Sequence, residues 1–187
     1  PRMSAMDLTR HLPLSNRPHG DESGVTSDER AALATIVDAV QAAVADRPDA
    51  AAQLDEFLED AGLAAVSRHP SLAESIRTGQ RRRPKDLVRA VRAQLALADR
   101  MSVEADIDPV VLGRVALHAS TTAPFDRRAA ISGHTVRAND ADWQFGRGPV
   151  LEASARYIVR FLLELSDVPP RRQAPAVNAP TRPDTTI

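Results

Sequence analysis

The sequence predicts a mainly α fold: a helical bundle with a small β-hairpin and a closing helix near the C-terminus. Three observations predict it. Apolar residues recur at helical spacing in five stretches between positions 26 and 120, and once more after position 150. Hydroxyl, acidic and proline residues stand where those stretches begin, and glycines where several of them stop. Between positions 130 and 150 the period changes to a weak alternation around the only Trp.

The chain divides at composition shifts into four parts: a flexible N-terminal segment, 1–25; a helical bundle, 26–120; a hairpin with a closing helix packed on the bundle, 121–166; and a proline-rich disordered tail, 167–187. Pro13, Pro18, Gly20 and Gly24 interrupt the first part, whose apolar residues Met3, Met6, Leu8, Leu12 and Leu14 are sparse. Such a composition reads as a tail. The alternative is a short amphipathic turn over 6–12 that docks on the body or on a partner.

Each helix has a local reason. Thr26 and Glu29 have capping-box spacing, and Leu33, Ile36, Val37, Val40 and Val44 follow on one face until Pro48. From about Asp49, Leu54, Phe57, Leu58 and Ala61 make a second stripe, which Gly62 ends in a left-handed stop. A short helix spans about 71–78 and stops at Gly79. Pro84 suits the first turn of a long helix carrying Leu87, Val88, Val91, Leu95 and Ala98, because a first-turn residue needs no amide hydrogen. Asp108-Pro109 starts a fifth helix, to about Ala119. Residues 134–138 and 143–145 read as a hairpin, with Asn139-Asp140 as its turn. A last helix carries Leu151, Ala155, Ile158, Leu162 and Leu165. Prolines at 169, 170, 175, 180 and 183 deny regular structure beyond Asp167.

Composition bounds the function. Of 187 residues 43% are hydrophobic but only 3% aromatic, so the core is aliphatic. Twenty-four basic and 25 acidic residues nearly cancel, which argues against bulk attraction to nucleic acid or an anionic membrane. The absence of cysteine excludes disulfides, thiolate metal sites and a cysteine nucleophile, and fits a cytoplasmic chain. No apolar run approaches the ~18 residues of a membrane span, and the N-terminus lacks a signal-peptide core. The excess of Ala, Arg, Asp and Pro fits a GC-rich genome, such as that of an actinobacterium.

Four groups of residues can carry chemistry. The histidines are His11, His19, His69, His118 and His134; no pair has the HxxxH or HExxH spacing that places two ligands on one helical face. His118, near a helix end, suits a place beside free carbonyls, although a site assembled from distant histidines stays open. A basic run holds Arg77, Arg81, Arg82, Arg83, Lys85, Arg89 and Arg92. It reads as a solvated face or as a grip on phosphates or on an acidic partner, but it lacks interleaved aromatic residues for base stacking. Asp106 with Asp108, and Asp140 with Asp142, are pairs two apart, the spacing of caps and Asx-turns. The most distinctive stretch is 140–149, where Trp143 precedes Gly146-Arg147-Gly148-Pro149. Its glycines permit close backbone approach, and Arg147 can oppose an anion. Equally, Trp143 can plug the core while the glycines make a turn. No GxSxG, Walker or Ca²⁺-loop pattern occurs.

Gly133-His134-Thr135-Val136-Arg137-Ala138-Asn139-Asp140-Ala141-Asp142-Trp143 together with Phe145-Gly146-Arg147-Gly148-Pro149 resembles the C-terminal part of the mycothiol-dependent maleylpyruvate isomerase family of actinobacteria, in the DinB-like superfamily. The similarity runs from about Asp106 to Leu165, and includes the helix that starts Asp108-Pro109. It implies a DinB-like bundle with a smaller α/β appendage. In active members of that family, bundle histidines bind a divalent metal that activates a low-molecular-weight thiol. This chain departs from the plan: no aspartate–histidine pattern matches the ligands, and 101–107 holds no histidine. His11 alone is similar to the first histidine motif, and no metal ligand or cofactor is carried over.

The expectation is a non-catalytic protein that binds a small molecule or a protein partner through Trp143, Gly146, Arg147, Gly148 and His134. One alternative is a metal- and thiol-dependent isomerase or transferase, which needs histidines that converge in space. Another is a nucleic-acid-binding regulator using Arg81, Arg82, Arg83, Lys85 and Arg89. No membrane partner is expected.

Overall fold

The computed structural model describes residues 28–172, apart from 67, 69 and 70. The expected N-terminal segment 1–25 and residues 173–187 of the proline-rich tail lie outside the described residues. In chain order the elements are α1 (Arg30–Val44), α2 (Ala50–Ala61), α3 (Leu72–Thr78), α4 (Pro84–Met101), α5 (Pro109–Thr122), α6 (Phe125–Ile131), β1 (Thr135–Ala138), β2 (Gln144–Gly146), β3 (Val150–Ala153), α7 (Ala155–Leu162) and β4 (Arg171–Arg172). The fold is mainly α, with a small sheet near the C-terminus, as the sequence predicts.

The helix stops and starts obey local chemistry. Gly62 ends α2 with φ 70°. Ser71 accepts the Glu74 amide at the start of α3, and Asp108 accepts the Val110 amide at the start of α5. Asp86 accepts the Arg83 amide at 2.8 Å in the first turn of α4. Most residues of the predicted stripes are buried, Leu33, Ile36, Val37, Val40 and Val44 in α1 and Leu87, Val91, Leu95 and Ala98 in α4, whereas Leu54 and Val88 are half-buried. In the bundle α1 packs on α3 and α4, α2 on α4, and α4 on α5; α5 in turn carries α7.

The start of α1 corrects the capping-box reading. The helix begins at Arg30, and the Glu29 side chain caps nothing. Its carboxylate is only 2% exposed and accepts Arg114 Nη1 at 2.7 Å. A carboxylate removed from water requires such a counter-charge, and α5 supplies it. Thr26 lies outside the described residues. Asp28 instead holds the chain start, accepting the backbone amides of Arg30 and Arg82 and the Arg30 guanidinium.

The C-terminal region departs further from expectation. Between Pro124 and β1 stands α6, which has no apolar stripe because Ile131 is its one buried residue. The expected hairpin is present as β1 and β2, with Val136 opposite Phe145. Leu151, expected in the closing helix, lies in β3, which runs parallel to β1. The helix starts later, where the Ser154 hydroxyl accepts the Tyr157 amide and Asp140 Oδ1 accepts the Ala155 amide at 2.6 Å. Beyond Asp167 two residues pair in spite of the prolines: Arg171 and Arg172 form β4 against the free edge of β3. The sheet order is β2-β1-β3-β4.

The core is aliphatic, with Phe57 and Phe161 its buried aromatic side chains among the described residues. Ile158 and Leu162 are fully buried, as expected; Trp143 and Phe145 are half-buried at its edge. No helix among the described residues is long and apolar enough to cross a membrane.

Candidate functional site

The glycine loop follows from topology. β2 ends beside the start of β1 on one side, and β3 begins beside it on the other. Residues 147–149 must therefore cross the N-terminal end of β1. Thr135 fastens the crossing, its amide donating to Pro149 O at 3.0 Å and its hydroxyl to Gly148 O at 3.1 Å. Gly146 has φ 84° and Gly148 φ 126°. A Cβ at 146 would lie 2.3 Å from the His134 carbonyl oxygen, and one at 148 would lie 2.0 Å from that of Gly133. Positive φ and this proximity both require glycine. Arg147 is left exposed at the crossing.

Trp143 seats the hairpin on α5. Its indole covers Gly113, where a Cβ would lie 2.9 Å from Cδ1, and Nε1 donates to Pro109 O at 3.0 Å. Its ring stacks on Phe145, with centroids 6.2 Å apart and 14° between planes. Of the two sequence readings of this Trp, the structure displays the packing role.

The loop, α5 and α6 enclose an open cleft of about 350 Å³. Leu117 and Ser120 line it from α5, Arg128 from α6, Phe145 and Gly146 from β2, and His134 and Arg147 from the loops next to β1 and β2. No carboxylate is among the lining residues. His134 Nδ1 lies 2.9 Å from Ser132 O, and Nε2 lies 3.4 Å from an Arg172 guanidinium nitrogen. That pairing assigns the proton to Nδ1, which donates to the carbonyl while Nε2 accepts. Arg128 Nε donates to Ala123 O at 2.8 Å, where α5 ends. Of the five residues singled out in the sequence, His134, Gly146 and Arg147 line this cleft, and Trp143 and Gly148 do not. Arg128, Ser120, Leu117 and Arg172 were not legible as partners. Only Arg128 carried a signal, as an arginine in a short segment without an apolar stripe.

The remaining sequence candidates do not join this cleft. Arg89 donates to the Glu59 and Asp60 carbonyls at the end of α2, beside Gly62. Arg92 donates to Leu163 O past the end of α7, and Arg77 pairs with Asp38 at 2.7 Å. Half-buried Arg82 has an Nε without a partner among the described residues. Arg81, Arg83 and Lys85 are exposed. The basic run is thus split between internal helix-end contacts and a short exposed part. His118 is half-buried in α5, while His11, His19 and His69 lie outside the described residues. Among the described residues no three His, Asp or Glu side chains gather so as to hold a metal ion.

Comparison of the chain with family models, with curated proteins and with solved structures returns no match.

Proposed function

We propose that the protein binds a small anionic molecule with an apolar portion in the cleft between α5, α6 and the glycine loop. The observation that carries this reading is the convergence of Arg128, Arg147 and His134 on a cleft free of carboxylates, with Leu117 and Phe145 on its walls. Guanidinium groups make charge-assisted hydrogen bonds to carboxylate or phosphate oxygens, and two of them fix such a group in orientation. The apolar wall favours a hydrophobic remainder by about 25 cal/mol per Å² covered. The volume lies in the small-molecule range of about 300–1,000 Å³.

Trp143 is a built-in reporter, since its ring stacks on Phe145 at the cleft wall. The test titrates the protein with aliphatic and aromatic monocarboxylates and with phenyl phosphate while following Trp143 fluorescence. Saturable binding by at least one of them is expected. Loss of one charged hydrogen bond in Arg128→Ala or Arg147→Ala costs about 1.5–3 kcal/mol, so affinity falls roughly 10- to 150-fold. Equal binding of the matching neutral amide, undiminished affinity in the double variant, or no saturation by any probe overturns the proposal.

A further inference from the structure

A second feature shares Leu117 and Phe145 with the cleft wall but does not depend on a ligand in it. The outward face of α5 carries Val110, 67% exposed, and Leu117, 58% exposed, seven residues apart and so on one side of the helix. Half-buried Trp143 lies over Gly113 beside them, and half-buried Phe145 shares the cleft wall with Leu117. Phe125, 77% exposed, begins the next helix. Large apolar side chains exposed singly are ordinary, but grouped ones mark a surface that something covers.

The chain itself brings a candidate to that face. Arg114 stands between Val110 and Leu117 on α5, and its Nη1 holds the Glu29 carboxylate at 2.7 Å. Residues 1–27 therefore join the described part of the molecule beside the middle of this stripe. They contain Met3, Met6, Leu8, Leu12 and Leu14. From Leu14 to Asp28 the chain can span up to roughly 46 Å at ~3.3 Å per residue, far more than the one turn separating Arg114 from Leu117. A covalent tether raises the local concentration of its end to about the millimolar range, so a modest apolar contact is populated in cis at dilutions where a second copy does not compete. We infer that the segment from Met3 to Leu14 docks on the Val110–Leu117 face of α5 in the same chain.

The absence of cysteine gives a clean test in the full chain. Leu117→Cys introduces a single thiol, and Ala51→Cys on exposed α2 serves as the control. Leu117→Cys is expected to react with a maleimide at least about tenfold slower than the same variant carrying Leu8→Asp and Leu12→Asp, a docking free energy of about 1.4 kcal/mol or more. The Ala51→Cys rate should be the same in both backgrounds. From the other side, Val110→Asp with Leu117→Asp should speed tryptic cleavage after Arg10 by a similar factor. Equal rates in either comparison overturn the inference. So does thiol protection that disappears on dilution, which assigns the face to a second copy.

Discussion

Gly113 faces the indole of Trp143 so closely that two opposed effects meet in one substitution. Gly113→Ala gains about 0.8–1 kcal/mol of helix propensity. It also drives a methyl group to 2.9 Å from Cδ1, and overpacking of this kind costs about 1–3 kcal/mol. The indole is held by its bond to Pro109 O and cannot slide freely, so a net loss near 1 kcal/mol and a red-shifted Trp143 emission are expected. A urea midpoint that rises would show that the ring yields. The Glu29–Arg114 pair behaves asymmetrically. Arg114→Ala strands a carboxylate that is 2% exposed, whereas the arginine, 44% exposed, can solvate itself when Glu29→Gln removes its partner. Arg114→Ala should therefore cost more, toward the lower end of about 3–5 kcal/mol, because water reaches one partner. Equal losses in the two variants would count against this account. Asp28 adds a pH dependence: the Arg30 guanidinium holds its carboxyl below the ordinary 3.8. Over that interval the unfolded chain binds the proton and the folded one does not. The contribution is present above pH 3.8 and is lost as pH falls through the lowered value; NMR titration of Asp28 should show that lowered midpoint. Residues of this kind differ in legibility. Ser71 and Asp108 cap amides two or three positions away and could be read from the sequence, whereas Glu29 and Arg114 are 85 positions apart and could not.

At the scale of elements, the helices that bury a stripe announced themselves and the others did not. β3 was hidden because Val150-Leu151-Glu152-Ala153 continues into a helical pattern, and only its parallel pairing with β1 selects the strand. That pairing is non-local, so no window of sequence contains it. β4 was hidden because two residues give no period, and the prolines before it argue correctly against anything longer. The crossing loop was visible as Gly-x-Gly-Pro, but its purpose was not. The same glycines that suggested an anion cradle are needed for the chain to pass the end of β1. Gly148→Ala tests this. With φ 126° and a Cβ 2.0 Å from Gly133 O, the variant should lose about 2–4 kcal/mol, combining backbone strain with a displaced Thr135 contact. Gly133→Ala is the control: φ is 72° there, but nothing lies within 4 Å of the added Cβ, so a smaller loss of about 1 kcal/mol is expected. Similar midpoints for the two variants in urea would show that close approach matters less than φ.

Across the whole molecule, α7 is fastened to the bundle by arginines at both its ends. Arg156 donates to Ala105 O at 2.7 Å and pairs with Glu104. Arg160 meets both Asp99 oxygens, at 2.9 and 2.7 Å, and Asp99 raises the guanidinium above its ordinary value. Arg92 reaches back from α4 to Leu163 O, and Arg127 bonds Ser166 O while its guanidinium lies 4.8 Å above the Phe161 ring. This use of arginine explains why the sequence invited a nucleic-acid reading. A chain rich in guanidinium groups looks like a phosphate binder until their carbonyl and carboxylate partners are known. It also explains why the cleft was half legible: His134 and Arg147 sit in a conspicuous stretch, but Arg128 resembles the many arginines that hold helix ends. The ties carry an expectation for folding. The ion pairs to Glu104 and Asp99 are exposed and worth about 0–1 kcal/mol each, and the bonds to the Ala105, Leu163 and Ser166 carbonyls are single part-buried contacts, so these ties couple the two parts only in part. α7 packs on α5, and the buried Ile158, Val159 and Leu162 of α7 belong to the same apolar core as Val115 and Ala119 of α5. Such a shared core makes sheet and bundle unfold together. Trp143 reports the sheet and far-ultraviolet circular dichroism reports the helices, so both signals should follow one urea transition with the same midpoint and slope. A Trp143 transition at lower urea, with the helical signal intact, would show that the hairpin leaves α5 on its own and that Trp143, not α7, is the weak link.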